Sequence, residues 1–229
     1  MCGRYASTKD PALLAAEFDA VDGTGDEAPG ADYNVAPTKH VMAVVEHQPE
    51  DEELERSVRV MRWGLVPHWA KDLSGAAKMI NARAETVLTK PAYKQSAIKR
   101  RCIIPAAGWY EWQPGEGRKQ PYFMTLGDDT SLAMAGLWSV WWKDDVPTVT
   151  CAVLTTESLG ALAEVHNRMP LLLPQDRWSA WLDPTSLDPS ELLTPDLSIV
   201  EALELRPVST DVNSVKNNNT SLIERVELP

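Results

Sequence analysis

The chain has 229 residues, 44% of them hydrophobic and 24% charged, which is enough apolar content for a packed core and too much for a disordered chain. It contains no run of about 18 apolar residues, so a membrane-spanning helix is excluded, and the opening MCGRYASTKD lacks the apolar stretch of a secretory signal. Its 22 basic and 33 acidic residues give a net charge of −11, a balance that ordinarily opposes a polyanionic partner.

From the N-terminus, Asp10 is placed to cap a helix, Pro11 suits the first helical position, and Leu13, Leu14 and Phe18 recur on one face. Residues 22–32 are polar and rich in Gly and Pro and read as a loop; residues 47–56 form an acidic linker between strands expected at 41–46 and 57–63. Further strands are expected at 101–104, 107–112, 121–126, 131–139 and 147–154, with Pro114, Gly115 and Gly117 connecting the second of these to the third. Helical patterns cover 84–98, 157–163, 175–182 and 189–193. Strands in blocks with helices inserted between them imply an α+β fold, and without an internal repeat or long linker the expectation is a single domain over residues 1–229.

The charge is unevenly spread. Residues 1–60 hold 5 basic and 13 acidic residues, residues 61–120 hold 11 and 4, and residues 121–229 hold 6 and 16. In the basic middle third Arg62, Trp63, Trp69, Lys71, Lys78, Arg83, Lys94, Lys99, Arg100, Arg101, Trp109 and Trp112 are interleaved. Single-stranded nucleic acid sites use that mixture for phosphate and base contacts, and a solvated helix face over core tryptophans uses it too.

Cys2 carries the most specific chemistry. Removal of the initiator Met would leave a thiol and a free α-amine on adjacent carbons, with reference pKa values of roughly 8.5 and 7.7–8.0. Such an aminothiol closes on an aldehyde to give a thiazolidine, while the thiol alone could attack an amide. Three polar residues stand in apolar or aromatic surroundings: Asn81 in MINAR, Glu111 in GWYEW and His166 in EVHNRMP. Asn81 is either a helix cap or a substrate-orienting amide. Glu111 is either a water-facing strand position or a desolvated acid/base, and His166 either a structural imidazole or a proton carrier. Cys102 and Cys151 sit among aliphatic neighbours and read as buried, inert thiols. The cysteines at 2, 102 and 151 have no CxxC spacing, His40, His47, His68 and His166 have no ligand spacing, and no Gly-rich phosphate loop occurs. No metal or nucleotide cofactor is expected, and a reduced, cytoplasmic protein is.

Together MCGRYA, YNVAPT at 33–38, RWGLVPHW at 62–69, INARAET at 80–86, RRCIIPAAGWYEW at 100–112, AGLW at 135–138, VHNRMPLLL at 165–173 and PVSTDVNSVKN at 207–217 resemble the SOS response-associated peptidase (SRAP) family across nearly the whole chain. The resemblance implies a compact α+β domain on a β-barrel-like core, acting as a monomer that recognises abasic sites in single-stranded DNA and crosslinks itself to them. It assigns Cys2 as the nucleophile and Asn81 as the residue orienting the sugar. Glu111 becomes the acid/base near the Cys2 amine, and His166 the group that assists deoxyribose ring opening. It further places Arg4, Arg83 and Arg168 on the DNA backbone, Trp69 and Pro37 against flanking bases, and Thr155 at the site. Where some relatives have two adjacent tryptophans this chain has Trp69-Ala70. A thiol peptidase or autopeptidase built on the same four residues is the alternative, and a non-catalytic DNA-binding module is a third reading.

Overall fold

The computed structural model describes residues 2–47, 54–115, 117 and 119–228. In chain order it contains β1 (Tyr5–Ser7), α1 (Pro11–Glu17), β2 (Val21–Asp22), β3 (Asp32–Val35), β4 (His40–His47), β5 (Glu55–Trp63), β6 (Asn81–Arg83) and α2 (Pro91–Lys99). There follow β7 (Arg101–Ala106), β8 (Gly108–Gln113), β9 (Gln120–Thr125), β10 (Leu132–Lys143), β11 (Val146–Glu157), α3 (Leu162–Val165), β12 (Arg168–Pro170), α4 (Trp178–Leu182), α5 (Leu197–Ala202) and β13 (Glu204–Pro207).

Strands β11, β10, β7, β4 and β5 pair in that order, and β5 returns to β11, which closes a five-stranded mixed barrel. The closing seam is parallel and short, Thr150 opposite Arg62 and Cys151 opposite Trp63. Strand alternation divides the barrel residues between two cores. Val41, Ala43, Val45, Met61, Trp63, Cys102, Ile104, Met134 and Val153 share one cluster. Met42, Val44, Val58, Ile103, Ala135, Leu137 and Leu154 point the other way, onto Leu14, Phe18, Tyr93, Ala97 and Trp181 of the helical layer. Burial on both faces explains why β4 and β10 read as nearly continuous apolar runs. At the end of β5 the chain turns through Gly64 at φ +128, where a Cβ would lie 2.6 Å from the Ala76 carbonyl oxygen, so only glycine fits.

A second, antiparallel sheet of order β13-β9-β8-β1-β3 packs on the barrel. Its Tyr5, Trp109 and Met124 join the first core, together with Cys2. The two chain ends meet here. Asn34, fully buried on β3, donates from Nδ2 to the carbonyls of Ser214 and Asn217 at 2.9 Å, while its Oδ1 accepts from Arg4 at 2.6 Å. Arg4 also donates to the Val212 carbonyl at 2.8 Å. Asn34→Ala leaves a desolvated guanidinium and two carbonyls without these partners and is expected to destabilise the protein by about 2–4 kcal/mol, read as a lower urea midpoint at unchanged slope.

The expected strands are present, most of them longer than their patterns. In the first helix Asp10 accepts from the Leu13 N–H as a cap should, yet Leu13 itself is 57% exposed, and Leu14 and Phe18 alone carry the buried face. The pattern over 84–98 divides into a 3₁₀ turn at Ala84–Thr86 and α2, because Lys90 precedes Pro91 and is held extended at ψ 123. The pattern over 157–163 is interrupted because β11 runs on to Glu157 to pair with Arg168 of β12, and helix begins only at Leu162. Residues 175–182 fold as a 3₁₀ turn leading into α4, and 190–193 as a 3₁₀ turn. The loop expected at 22–32 holds a 3₁₀ turn at Gly25–Glu27, and residues 48–53 of the acidic linker lie outside the described residues.

Candidate active site

The four residues singled out for chemistry converge where the second sheet meets the barrel. On β8, alternation sends Trp109 toward the core shared with Cys2, and Tyr110 and Trp112 toward a separate cluster with Val208 and Val212. Glu111 is 3% exposed, so it is a desolvated carboxyl and not a water-facing strand position. Burial raises its pKa above the ordinary carboxylate range, and the neighbouring His166 pulls it part of the way back. The Cys2 thiol is 3% exposed, and burial first, then the nearby Glu111 charge, hold its pKa well above the usual thiol value.

Asn81 is not a helix cap. It opens β6, which lies parallel to β11 with Asn81 opposite Val153, and its Nδ2 donates to the Cys2 carbonyl at 3.0 Å. Its own carbonyl accepts from the Tyr93 hydroxyl on α2 at 3.1 Å, which ties this short strand to the helical layer. His166 follows α3 in an extended conformation. The Arg168 N–H, whose hydrogen direction is fixed by the backbone, donates to Nδ1 at 3.0 Å. This contact helps set the ring so that Nε2 lies 3.9 Å from Glu111 Oε2.

Around these four the remaining candidates separate. Thr155 is buried on β11, and its carbonyl accepts from Arg168 Nη2 at 2.6 Å. The Arg168 guanidinium is otherwise engaged by Glu85, at 2.7 and 3.0 Å. Arg83 is exposed and in register with Thr155. Trp69 is 62% exposed on the loop after β5, and Pro37 is half-buried on the turn before β4. Arg4, two residues from Cys2, places its guanidinium in the Asn34 clamp and over the Trp112 ring at 5.9 Å.

The chain matches the family described as SOS response associated peptidase (SRAP) over residues 1–215. It belongs to the SRAP family. Among SRAP relatives it is 36% identical to the Bacillus subtilis "Abasic site processing protein YoaM", with 98% of each chain covered. It is 30% identical to the Gallus gallus "Abasic site processing protein HMCES" over 86% of this chain and 66% of that one. A solved Bacteroides thetaiotaomicron protein has the same fold, with a TM-score of 0.83 over 99% of this chain and 100% of that one at 24% identity.

On the SRAP barrel the basic middle third is only partly a surface. Trp63 and Trp109 are core residues, and Arg101 is buried with its guanidinium donating to the carbonyls of Ala97, Ile98, Trp181, Asp183 and Ser186. Arg100 packs over the Trp138 ring at 5.5 Å. Trp69, Lys71, Lys78, Arg83, Lys94 and Lys99 are exposed and remain available to a ligand. Cys102 and Cys151 are fully buried, and desolvation pushes the Cys151 thiol up to about 12, in keeping with inert thiols. Three residues that shape the site escaped sequence reasoning. Asn34 and Glu85 lie inside recognised motifs, in YNVAPT and INARAET, without a pattern that sets them apart, and Tyr93 reads as an ordinary helix-face aromatic.

Proposed function

We propose that this protein captures abasic sites in single-stranded DNA by forming a thiazolidine between Cys2, freed of Met1, and the ring-opened sugar aldehyde. The observation that carries this reading is the surroundings of Cys2: its carbonyl is held by Asn81, its buried thiol feels the charge of Glu111, and Nε2 of His166 lies 3.9 Å from that same carboxyl. The names of the relatives point to abasic sites as the substrate.

The chemistry follows from the protonation states. His166 relays a proton to open the cyclic hemiacetal and expose the C1′ aldehyde. The Cys2 amine attacks that carbon and water leaves, giving an imine. The thiol then adds across the C=N bond, its sulfur bonding C1′ and its proton passing through Glu111 to the nitrogen. A thiol kept protonated by burial suits this order, because the amine acts first and the thiol needs to ionise only as the ring closes. The same protonated thiol disfavours direct attack on an amide, which needs a thiolate from the outset.

The test is a denaturing gel with intact mass, using single-stranded oligonucleotides that carry a natural abasic site, a tetrahydrofuran analogue without the aldehyde, or no lesion. A heat-stable band with the natural site alone is expected. No band from a protein whose mass shows Met1 removed, or equal bands with the analogue, overturns the reading. His166→Ala is expected to slow capture about 100-fold while leaving the same final adduct, measured as a time course.

A further inference from the structure

Glu85 has no place in the chemistry above, yet it occupies a defined position. It sits on the 3₁₀ turn directly after β6, the strand that carries Asn81 and Arg83. Its two carboxylate oxygens take both arms of the Arg168 fork, at 2.7 and 3.0 Å. Its side chain is 43% exposed, whereas that of Arg168 is 12% exposed. The Arg168 hydrogen bond, reinforced by the charges of Arg168 and Arg83, holds the Glu85 carboxyl below its ordinary range, so it is an anion at neutral pH. A planar guanidinium pairs with a carboxylate and a phosphate through the same bidentate geometry, so the two compete for one fork.

We infer that Glu85 is a built-in competitor for DNA phosphate: it fills the Arg168 fork when no strand is bound and has to be displaced by the backbone of an incoming one. This rests on the proposed reading of the site as a single-stranded DNA channel. Exposure lets the carboxylate swing into solvent, while the bond from Arg168 Nη2 to the Thr155 carbonyl keeps the guanidinium in place. The competition weakens binding to every strand equally. Undamaged DNA has only such reversible contacts and is released, whereas an abasic strand is retained by its covalent bond. Glu85 would thus act as a selectivity residue without touching the lesion.

The measurement is fluorescence anisotropy with an unmodified labelled oligothymidine strand between 50 and 200 mM salt, for wild type, Glu85→Gln, Glu85→Ala, Arg168→Gln and the Glu85→Gln/Arg168→Gln double variant. Both Glu85 variants are expected to bind about three- to tenfold more tightly at low salt, with the log–log salt slope unchanged, because Arg168 meets the same phosphate in every complex once Glu85 is displaced. The gain is expected to vanish when the double variant is compared with Arg168→Gln. Equal or weaker binding by folded Glu85 variants overturns the inference, as does a gain that survives without Arg168, which would reflect net charge alone. Crosslinking to an abasic strand, run in parallel, separates the two readings. A Glu85 gain with no adduct from any protein keeps the competitor and removes the crosslink; an adduct with no gain does the reverse.

Discussion

Cys2→Ala is expected to yield no heat-stable adduct with abasic DNA, at any incubation time, while the protein stays folded and still binds single strands in a salt-sensitive way. Alanine is as small as cysteine at this position, so Met1 removal and the α-amine are retained and only the sulfur is lost. The buried site loses one heavy atom, a cost of about 1 kcal/mol that a folded domain tolerates. The variant also separates the two nucleophiles. An amine that attacks first still forms an imine, so borohydride should convert the transient complex of Cys2→Ala into a stable secondary amine, visible on the same gel. An adduct without reductant would remove sulfur from the mechanism, and no product with reductant would remove the amine as the first attacker.

Glu111→Gln is expected to act in opposite directions on rate and on stability. Gln keeps the shape and a hydrogen-bond acceptor but cannot shuttle a proton, so capture should slow by roughly 100- to 1,000-fold, the range of general acid–base assistance. The folded-state pKa of Glu111 is raised, chiefly by burial, above that of an unfolded glutamate, about 4.3. The protonated carboxyl favours the fold, and this contribution is present below about pH 4.3 and lost as pH rises through the folded value. Above its raised folded value the wild type therefore carries a buried carboxylate that opposes folding, and the variant does not. Glu111→Gln should melt higher than wild type at pH 7–8, with the difference shrinking as pH falls toward 4. A variant that melts lower across this range would show that Glu111 stabilises the fold as an ion.

The legible parts of the fold are those in which one apolar pattern determines one element. The strands β4, β7 and β10 announce themselves because most of their length is buried on both faces. Short strands such as β1, β3, β6 and β12, three or four residues each, carry no period of their own. They exist because longer partners offer them an edge, and a local pattern cannot show a partner that lies far away in the chain. The same limit applies at the site. The residue types at Cys2, Glu111 and His166 suggest chemistry from the sequence, but the direction in which Glu111 faces depends on which core its strand parity selects. The basic middle third was the least readable feature, since Arg101 satisfies five carbonyls from inside the fold while Lys94 and Lys99 stand in water.

The joining of the two ends of the chain sets an order of events during synthesis. Arg4 reaches its Val212 partner 208 positions along the chain, and Asn34 reaches Asn217 across 183. Contacts of such separation form late, since the loop they close must first exist. Arg4 and Asn34 are thus among the first side chains to be made and among the last to find their partners. A nascent chain stalled before residue 208 would hold Arg4 and Asn34 without the carbonyls they pair with, leaving β1 and β3 unanchored until the last segment is released.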